Sequence, residues 1–186
     1  MSNFNHAIQF AVDAHSGYTR KGTGSPYIVH PMEVAAIVST MTLDDDILAA
    51  AALHDVVEDA GVSIETIRNF FGPRVAELVA SESEDKRPDL PKSETWKIRK
   101  EETIEHLKAT KDMAVKMITL GDKLSNLRAT YQSYLRIGDA VWNQFNMKEK
   151  QLHAWYYREI LEAVSELSDF PVWKEYRWYV ETLFSH

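Results

Sequence analysis

Ile47-Leu48-Ala49-Ala50-Ala51-Ala52-Leu53-His54-Asp55-Val56-Val57-Glu58-Asp59 is the stretch that decides the fold. Its first half is apolar on every side, the signature of a helix buried in a core. Its second half places four ionisable side chains within six residues. Burying them is expensive unless a cation or a hydrogen-bonded network takes up their charge. Helical spacing sets His54 over Glu58 and Asp55 over Asp59, each pair i to i+4. A polar cluster on a core helix suggests a metal-dependent hydrolytic site. The competing reading, an exposed acidic helix end, conflicts with the apolar flank.

Working outward, nearly every segment carries helical periodicity and none shows convincing strand alternation. A first helix is expected from about Phe4 to His15, with Gly17 as its stop. The polar stretch from Ser16 to Val29 contains Arg20-Lys21-Gly22-Thr23-Gly24-Ser25-Pro26. Pro31 suits the first position of the next helix, which places His30 at its N-cap. That helix should bury Val34, Ile37, Val38 and Met41. Asp44, Asp45 and Asp46 favour the N-terminal dipole of a third helix, running to Gly61. Ser63 can cap a short helix through Phe71, and Gly72-Pro73 separates it from another over about 74–81. Residues 82–92 read as a loop. Long helices are expected over about 93–109, 112–136 and 147–167, with a short one after Pro171. The fold class is all-α: one compact multi-helix bundle over residues 1–186 with a central metal site.

Composition narrows the function. The 186 residues suit one domain with a sizeable core. Apolar and charged fractions of 45% and 26% are those of a globular protein. No apolar run is long enough to span a bilayer, and Met1-Ser2-Asn3-Phe4-Asn5-His6 lacks the features of a signal peptide. The absence of cysteine removes disulfides, thiolate metal sites and Cys nucleophiles together. A cytoplasmic location is the default expectation. The formal charge of −7 argues against general nucleic-acid binding. It leaves room for a small anion, because a metal and a few local cations can reverse the field in a cleft.

Two more residues can join His54 and Asp55. His30 precedes a proline, a rigid position for a ligand, although a satisfied helix cap is its other reading. Asp122 stands in the apolar run Met117-Ile118-Thr119-Leu120-Gly121-Asp122-Lys123-Leu124, where its carboxylate needs a partner. A salt bridge to Arg or Lys is the alternative. Two imidazoles and two carboxylates form a mixed N/O set suited to manganese, iron or zinc.

His30, His54-Asp55 and Asp122 match in order the H…HD…D signature of HD-domain metal-dependent phosphohydrolases. Ala14-His15-Ser16-Gly17, Arg20-Lys21-x-Gly, Pro26-Tyr27-Ile28-x-His30-Pro31, His54-Asp55-x-Val57-Glu58-Asp59 and Asp122-Lys123-Leu124-x-Asn126-Leu127-Arg128 narrow the match. Together they resemble the hydrolase domain of RelA/SpoT-type alarmone enzymes, densely from about Ala7 to Arg128. The expectation is a stand-alone small alarmone hydrolase without the synthetase and regulatory domains. The resemblance implies hydrolysis of guanosine 3′-diphosphate 5′-di- or triphosphate, (p)ppGpp, to pyrophosphate and GDP or GTP. It implies one divalent ion, usually Mn2+, on His30, His54, Asp55 and Asp122. Glu58 and Asp59 match the acidic pair beside the metal, Glu58 as the water-orienting group and Asp59 as the proton shuttle, with the roles exchangeable. Another nucleotide, NADPH or a pyrophosphorylated RNA 3′ end is the alternative substrate; a non-catalytic alarmone-binding protein is the alternative class.

For the nucleotide, the resemblance points to Arg20, Lys21 and Asn126. A solvated basic loop and a plain helix-surface asparagine are the plainer readings. Arg also stacks on a base through its planar guanidinium. Lys86, Lys92, Arg99 and Lys100 are further cations, for most of which a solvated face is the plainer account. In His153-Ala154-Trp155-Tyr156-Tyr157-Arg158, Tyr156 belongs to the stripe Leu152, Tyr156, Ile160, Val164, Leu167 and reads as core. Trp155 flanks it and is the choice for a base contact, against packing on another helix. His15 reads as a structural cap near a helix C-terminus. Two departures concern the pocket rather than the ligand set. Ala60 stands where family members often have threonine, and Ala80-Ser81-Glu82-Ser83-Glu84-Asp85-Lys86 replaces a valine and threonine pattern.

Overall fold

The computed structural model describes residues 2–84, 87, 89 and 91–185, with residues 92 and 93 described by their backbone alone. Among them the regular elements are helices, and the only strand-like feature is an isolated antiparallel bridge between Thr19 and Pro26. The residues group into two units, Met1–Ser83 with Asp112–Asp122, and Glu84–Lys111 with Lys123–His186. None of the described helices is long and apolar enough to cross a membrane.

In the first unit, α1 (Asn3–Ala14), α2 (Val29–Val38) and α6 (Pro73–Glu82) pack on α3 (Asp45–Leu53), with α4 (Val56–Ala60) and α5 (Ile64–Phe71) between. Capping fixes where these helices begin. Asp44 Oδ1 accepts from the backbone N–H of Asp46 at 3.0 Å and of Ile47 at 3.2 Å, so an acidic side chain closes the positive end of α3. Asp45 and Asp46 turn instead to Asn3, whose backbone N–H donates to Asp45 and whose side-chain amide donates to Asp46 and Phe71 O. Ser63 caps α5 through the Thr66 N–H at 3.0 Å.

The alanine run is the centre of this unit. Ala49, Ala50, Ala51, Ala52 and Leu53 are fully buried. Small side chains on all sides let neighbouring helices approach closely. The expected third helix to Gly61 is in fact two. α3 ends at Leu53, a turn at His54 and Asp55 interrupts it, and α4 resumes at Val56. The backbone stays close to helical through the turn, with φ/ψ of −54°/−35° at His54 and −96°/−6° at Asp55, and the Asp59 N–H to Asp55 O bond of 2.9 Å keeps Asp55 and Asp59 i to i+4.

α8 (Met113–Ile137) enters the first unit with its opening residues. Gly121 there has no Cβ, and one built on it would meet Val38 Cγ2 at 2.9 Å and Val34 Cγ1 at 3.3 Å. Glycine is what permits this approach to α2, one residue before Asp122. Arg74 anchors the start of α8 by a two-pronged pair with Asp112 at 2.6 and 3.0 Å.

The second unit contains α7 (Lys92–Ala109), the rest of α8, a 3-10 segment Gly138–Gln144, α9 (Lys150–Ala163) and α10 (Pro171–Phe184). Tyr156, Ile160, Val164 and Leu167 are buried as the stripe requires, while Leu152 is half-buried. The span 147–167 is not one helix: α9 ends at Ala163 and a 3-10 turn, Ser165–Leu167, follows. α10 is a full helix of 14 residues rather than a short one, held by buried Val172, Tyr176, Val180 and Leu183. The solvated-face reading of Arg99 and Lys100 is corrected, since both bind Glu84, at 2.7 and 2.6 Å. Lys86 and the Lys92 side chain lie outside the described residues.

Gly121→Ala tests the close approach. Overpacking costs about 1–3 kcal/mol, against roughly 1 kcal/mol of helix propensity gained. A net loss of stability in denaturant unfolding is expected, whereas a stabilised variant would show that the contact yields without strain.

Candidate metal centre

Three elements of the first unit deliver the predicted ligand set. His30 comes from the first turn of α2, His54 and Asp55 from the break between α3 and α4, and Asp122 from α8. His30, His54 and Asp122 are buried, at 3%, 2% and 6% exposure. His30 is not the N-cap expected from the proline after it. Bonds from Val29 N–H to Pro26 O and from His30 N–H to Tyr27 O carry a tight turn straight into α2, so the helix starts at Val29. Pro31 still lies in the first turn, where its missing N–H costs nothing.

The side chains converge. His30 Nε2 lies 3.1 Å from Asp122 Oδ1 and 3.4 Å from Asp55 Oδ2. His54 Nε2 lies 3.1 Å from Asp55 Oδ2 and 3.8 Å from Asp122 Oδ1. Ligand atoms of His30, His54 and Asp122 all lie within 4.8 Å of one another. Asp55 reaches both imidazoles from the side. Ligands held about 2.1 Å from one ion sit roughly 3.0–3.4 Å apart, so three of the four separations are those of ligands around a shared centre.

Tautomer and charge follow from the surroundings. His54 Nδ1 lies 2.8 Å from Ala51 O, and a carbonyl only accepts, so Nδ1 carries a hydrogen and Nε2 is the atom turned to the carboxylates. Nε2 is fully buried and makes no well-aligned hydrogen bond despite its short distance to Asp55. An atom so placed fits a metal ligand. Burial penalises a charged His54, yet the Asp55 carboxylate, with Asp122 beyond it, outweighs that penalty and pushes the pKa up to about 10. Burial opposes a charged Asp55 as well, and His54 with His30 holds its carboxyl well below the usual carboxylate range.

The acidic pair sits on α4 beside this group, with Glu58 half-buried and Asp59 exposed. Asp59 is joined to it by Tyr27, whose hydroxyl lies 2.7 Å from both Asp59 Oδ2 and Asp55 Oδ2. Arg20 and Lys21 occupy the loop closed by the Thr19–Pro26 bridge, Arg20 half-buried and Lys21 exposed. Arg20 has its backbone pinned on both sides, by Ser25 O at 2.9 Å and the Gly24 N–H at 3.0 Å. Asn126 and Trp155 belong to the second unit, on α8 and α9, and both are half-buried. His15 is the C-cap of α1 as expected, and it is buried with both ring nitrogens lacking hydrogen bonds; burial lowers its pKa. Sequence reasoning did not single out Tyr27 or Gly121. The helical glycine next to a buried aspartate was the available signal for Gly121; for Tyr27 it was its place in the Pro26-Tyr27-Ile28-x-His30-Pro31 motif, while its partners lie 28 and 32 residues away.

An all-helical scaffold with buried histidines and aspartates around one point defines a class of helical metal-site proteins. Within it, the chain belongs to the HD-domain family, whose profile matches residues 7–152. Among similar curated proteins, the guanosine-3′,5′-bis(diphosphate) 3′-pyrophosphohydrolase of Vibrio cholerae is 42% identical over 123 residues, covering 63% of this chain and 16% of that protein. The bifunctional (p)ppGpp synthase/hydrolase SpoT of Escherichia coli K12 is 40% identical over 123 residues, covering 66% and 17%. The chain thus spans about a sixth of the length of these relatives. A solved structure of a metazoan ortholog of SpoT, described as hydrolyzing ppGpp, matches with a TM-score of 0.74 at 25% identity, covering 100% of this chain and 95% of that one. The crystal structure of lmo0812 from Listeria monocytogenes EGD-e matches at 0.73 and 32% identity, covering 84% and 99%.

Loading a divalent ion must displace the His54 Nε2 proton. Affinity should therefore rise as pH increases toward about 10, by up to ~tenfold per unit. Calorimetry at pH 7 in buffers of different ionisation enthalpy should show proton release; buffer-independent heats would contradict the assignment. The sign reverses for stability without metal. The raised His54 pKa contributes stability fully present below about 6.5, and lost as pH rises through about 10.

Proposed function

We propose that this chain is a metal-dependent hydrolase that removes pyrophosphate from the 3′ position of guanosine 3′-diphosphate 5′-di- or triphosphate, leaving GDP or GTP. The observation that carries the proposal is the buried His30–His54–Asp122 group with Asp55 beside it, in a chain whose relatives are named for this reaction. The reading takes residues 1–186 as one hydrolase domain working in the cytoplasm, with one Mn2+ as the ion.

His30, His54, Asp55 and Asp122 would hold the ion. When bound, a divalent cation supplies Lewis acidity toward water and a phosphoryl oxygen, with no redox chemistry of its own. The remaining steps belong to the chain. Glu58 orients the attacking water. Asp59 accepts its proton as the water oxygen bonds to the phosphorus nearest the ribose. The bond from that phosphorus to the 3′ oxygen breaks, and the proton held by Asp59 is passed to the 3′ oxygen, which leaves as the ribose hydroxyl. An exposed carboxylate at the rim of a buried centre suits such exchange, because it can reach both substrate and solvent. Arg20 and Lys21 bring positive charge to a chain of net charge −7, and with Asn126 and Trp155 would contact the nucleotide. Arg20 is suited to stacking on a base through its planar guanidinium, and Trp155 is an aromatic candidate for a base contact.

Purified protein with ppGpp and Mn2+ should yield GDP and pyrophosphate in equal amounts, and a chelator should stop the reaction. Orthophosphate alone, or turnover only of NADPH, another nucleotide or an RNA 3′ end, would contradict the substrate assignment. No turnover, with alarmone still bound, would identify a binding protein instead. Glu58→Gln and Asp59→Asn should each lower kcat by about 10²–10⁴-fold. Unchanged turnover in both variants would remove them from the mechanism.

A further inference from the structure

Tyr27 is the polar side chain at the centre that neither the ligand set nor the acidic pair accounts for. Its hydroxyl lies 2.7 Å from Asp55 Oδ2 and 2.7 Å from Asp59 Oδ2. One phenol thus touches a carboxylate of the candidate ligand set and the carboxylate expected to move the proton. We infer that Tyr27 is a positioning residue of the hydrolytic reaction, fixing the Asp59 carboxylate against the metal centre through its bridge to Asp55. This inference rests on the hydrolase reading above.

The bridge is rigid from both sides. The backbone N–H of Tyr27 donates to Tyr18 O at 2.9 Å, next to the Thr19–Pro26 bridge, and its carbonyl accepts from the His30 N–H at 3.0 Å. The ring lies 4.8 Å from the His15 ring, centroid to centroid, and meets His30 edge to face at 6.0 Å. His15 thereby acquires a use: a buried, uncharged imidazole that backs the tyrosine.

The hydrogen count shows what the link can do. A phenol has one hydrogen to donate and lone pairs to accept. With that hydrogen given to one carboxylate, its oxygen is an acceptor for the other only when that group carries a hydrogen of its own. Asp59 acquires one when it takes a proton from the attacking water. Both 2.7 Å contacts are therefore hydrogen bonds only when Asp59 carries the transferred proton; before transfer the phenol donates to one carboxylate alone. On this five-residue helix the Tyr27 contact favours the Asp59 rotamer that faces the centre.

Tyr27→Phe removes one oxygen and leaves the ring against His15, so the melting temperature with Mn2+ should stay within a few degrees of the parent. The expected result is a fall in kcat of about 10- to 100-fold, with KM for ppGpp within about twofold, since the hydroxyl reaches carboxylates rather than the nucleotide. In an Asp59→Asn background the same change should lower kcat by less than about twofold, because the group it positions is already gone. Parental kcat in Tyr27→Phe overturns the inference. So does an undiminished loss in the Asp59→Asn background, or a rise in KM that accounts for the whole effect. If the parent protein does not hydrolyse ppGpp, the hydrolase reading has failed on its own. The Tyr27 bridge is then judged from the crystal structure of Tyr27→Phe, where a displaced Asp59 carboxylate supports it and an unmoved one overturns it.

Discussion

Everything in the first unit depends on two imidazoles and two carboxylates meeting in an apolar interior. Left uncompensated, such groups would oppose folding by several kcal/mol each. The fold meets that cost in three ways. Asp55 and Asp122 face imidazoles rather than hydrocarbon, the His54 Nδ1–H is satisfied by Ala51 O, and Tyr27 donates to the carboxylate edge. A proton on His54 and a divalent cation would compete for the point where the four side chains meet, which ties metal loading to pH.

The scaffold explains how such a cluster is built from distant segments. Fully buried alanines on α3 and the bare Cα of Gly121 on α8 let backbones approach closely. The turn at His54 and Asp55, between α3 and α4, carries two members of the group, and the αL glycine at position 61, with φ of 70°, ends the short helix that carries the acidic pair.

Helix periodicity and capping made most of the architecture legible, because they are local. The apolar run of α3, Ser63 as a cap, the Gly72-Pro73 boundary and the stripe of α9 all lie where pattern alone puts them. The meeting of buried His30, His54 and Asp122 was legible for a different reason: ionisable residues in apolar surroundings need one another. What escaped was set by tertiary contact. His30 became helical because bonds from the preceding turn outweigh the conformational bias imposed by Pro31. Arg99 and Lys100 turned from solvent to Glu84, which stands 15 and 16 positions away. Tyr27 joined Asp55 and Asp59 across a separation that no spacing rule covers.

Anomalous scattering from crystals grown with Mn2+ tests the central claim most directly. The account predicts one strong peak within coordination distance of His30 Nε2, His54 Nε2, Asp122 and Asp55. A peak bound elsewhere, or four side chains still paired with one another at saturating ion, would contradict it.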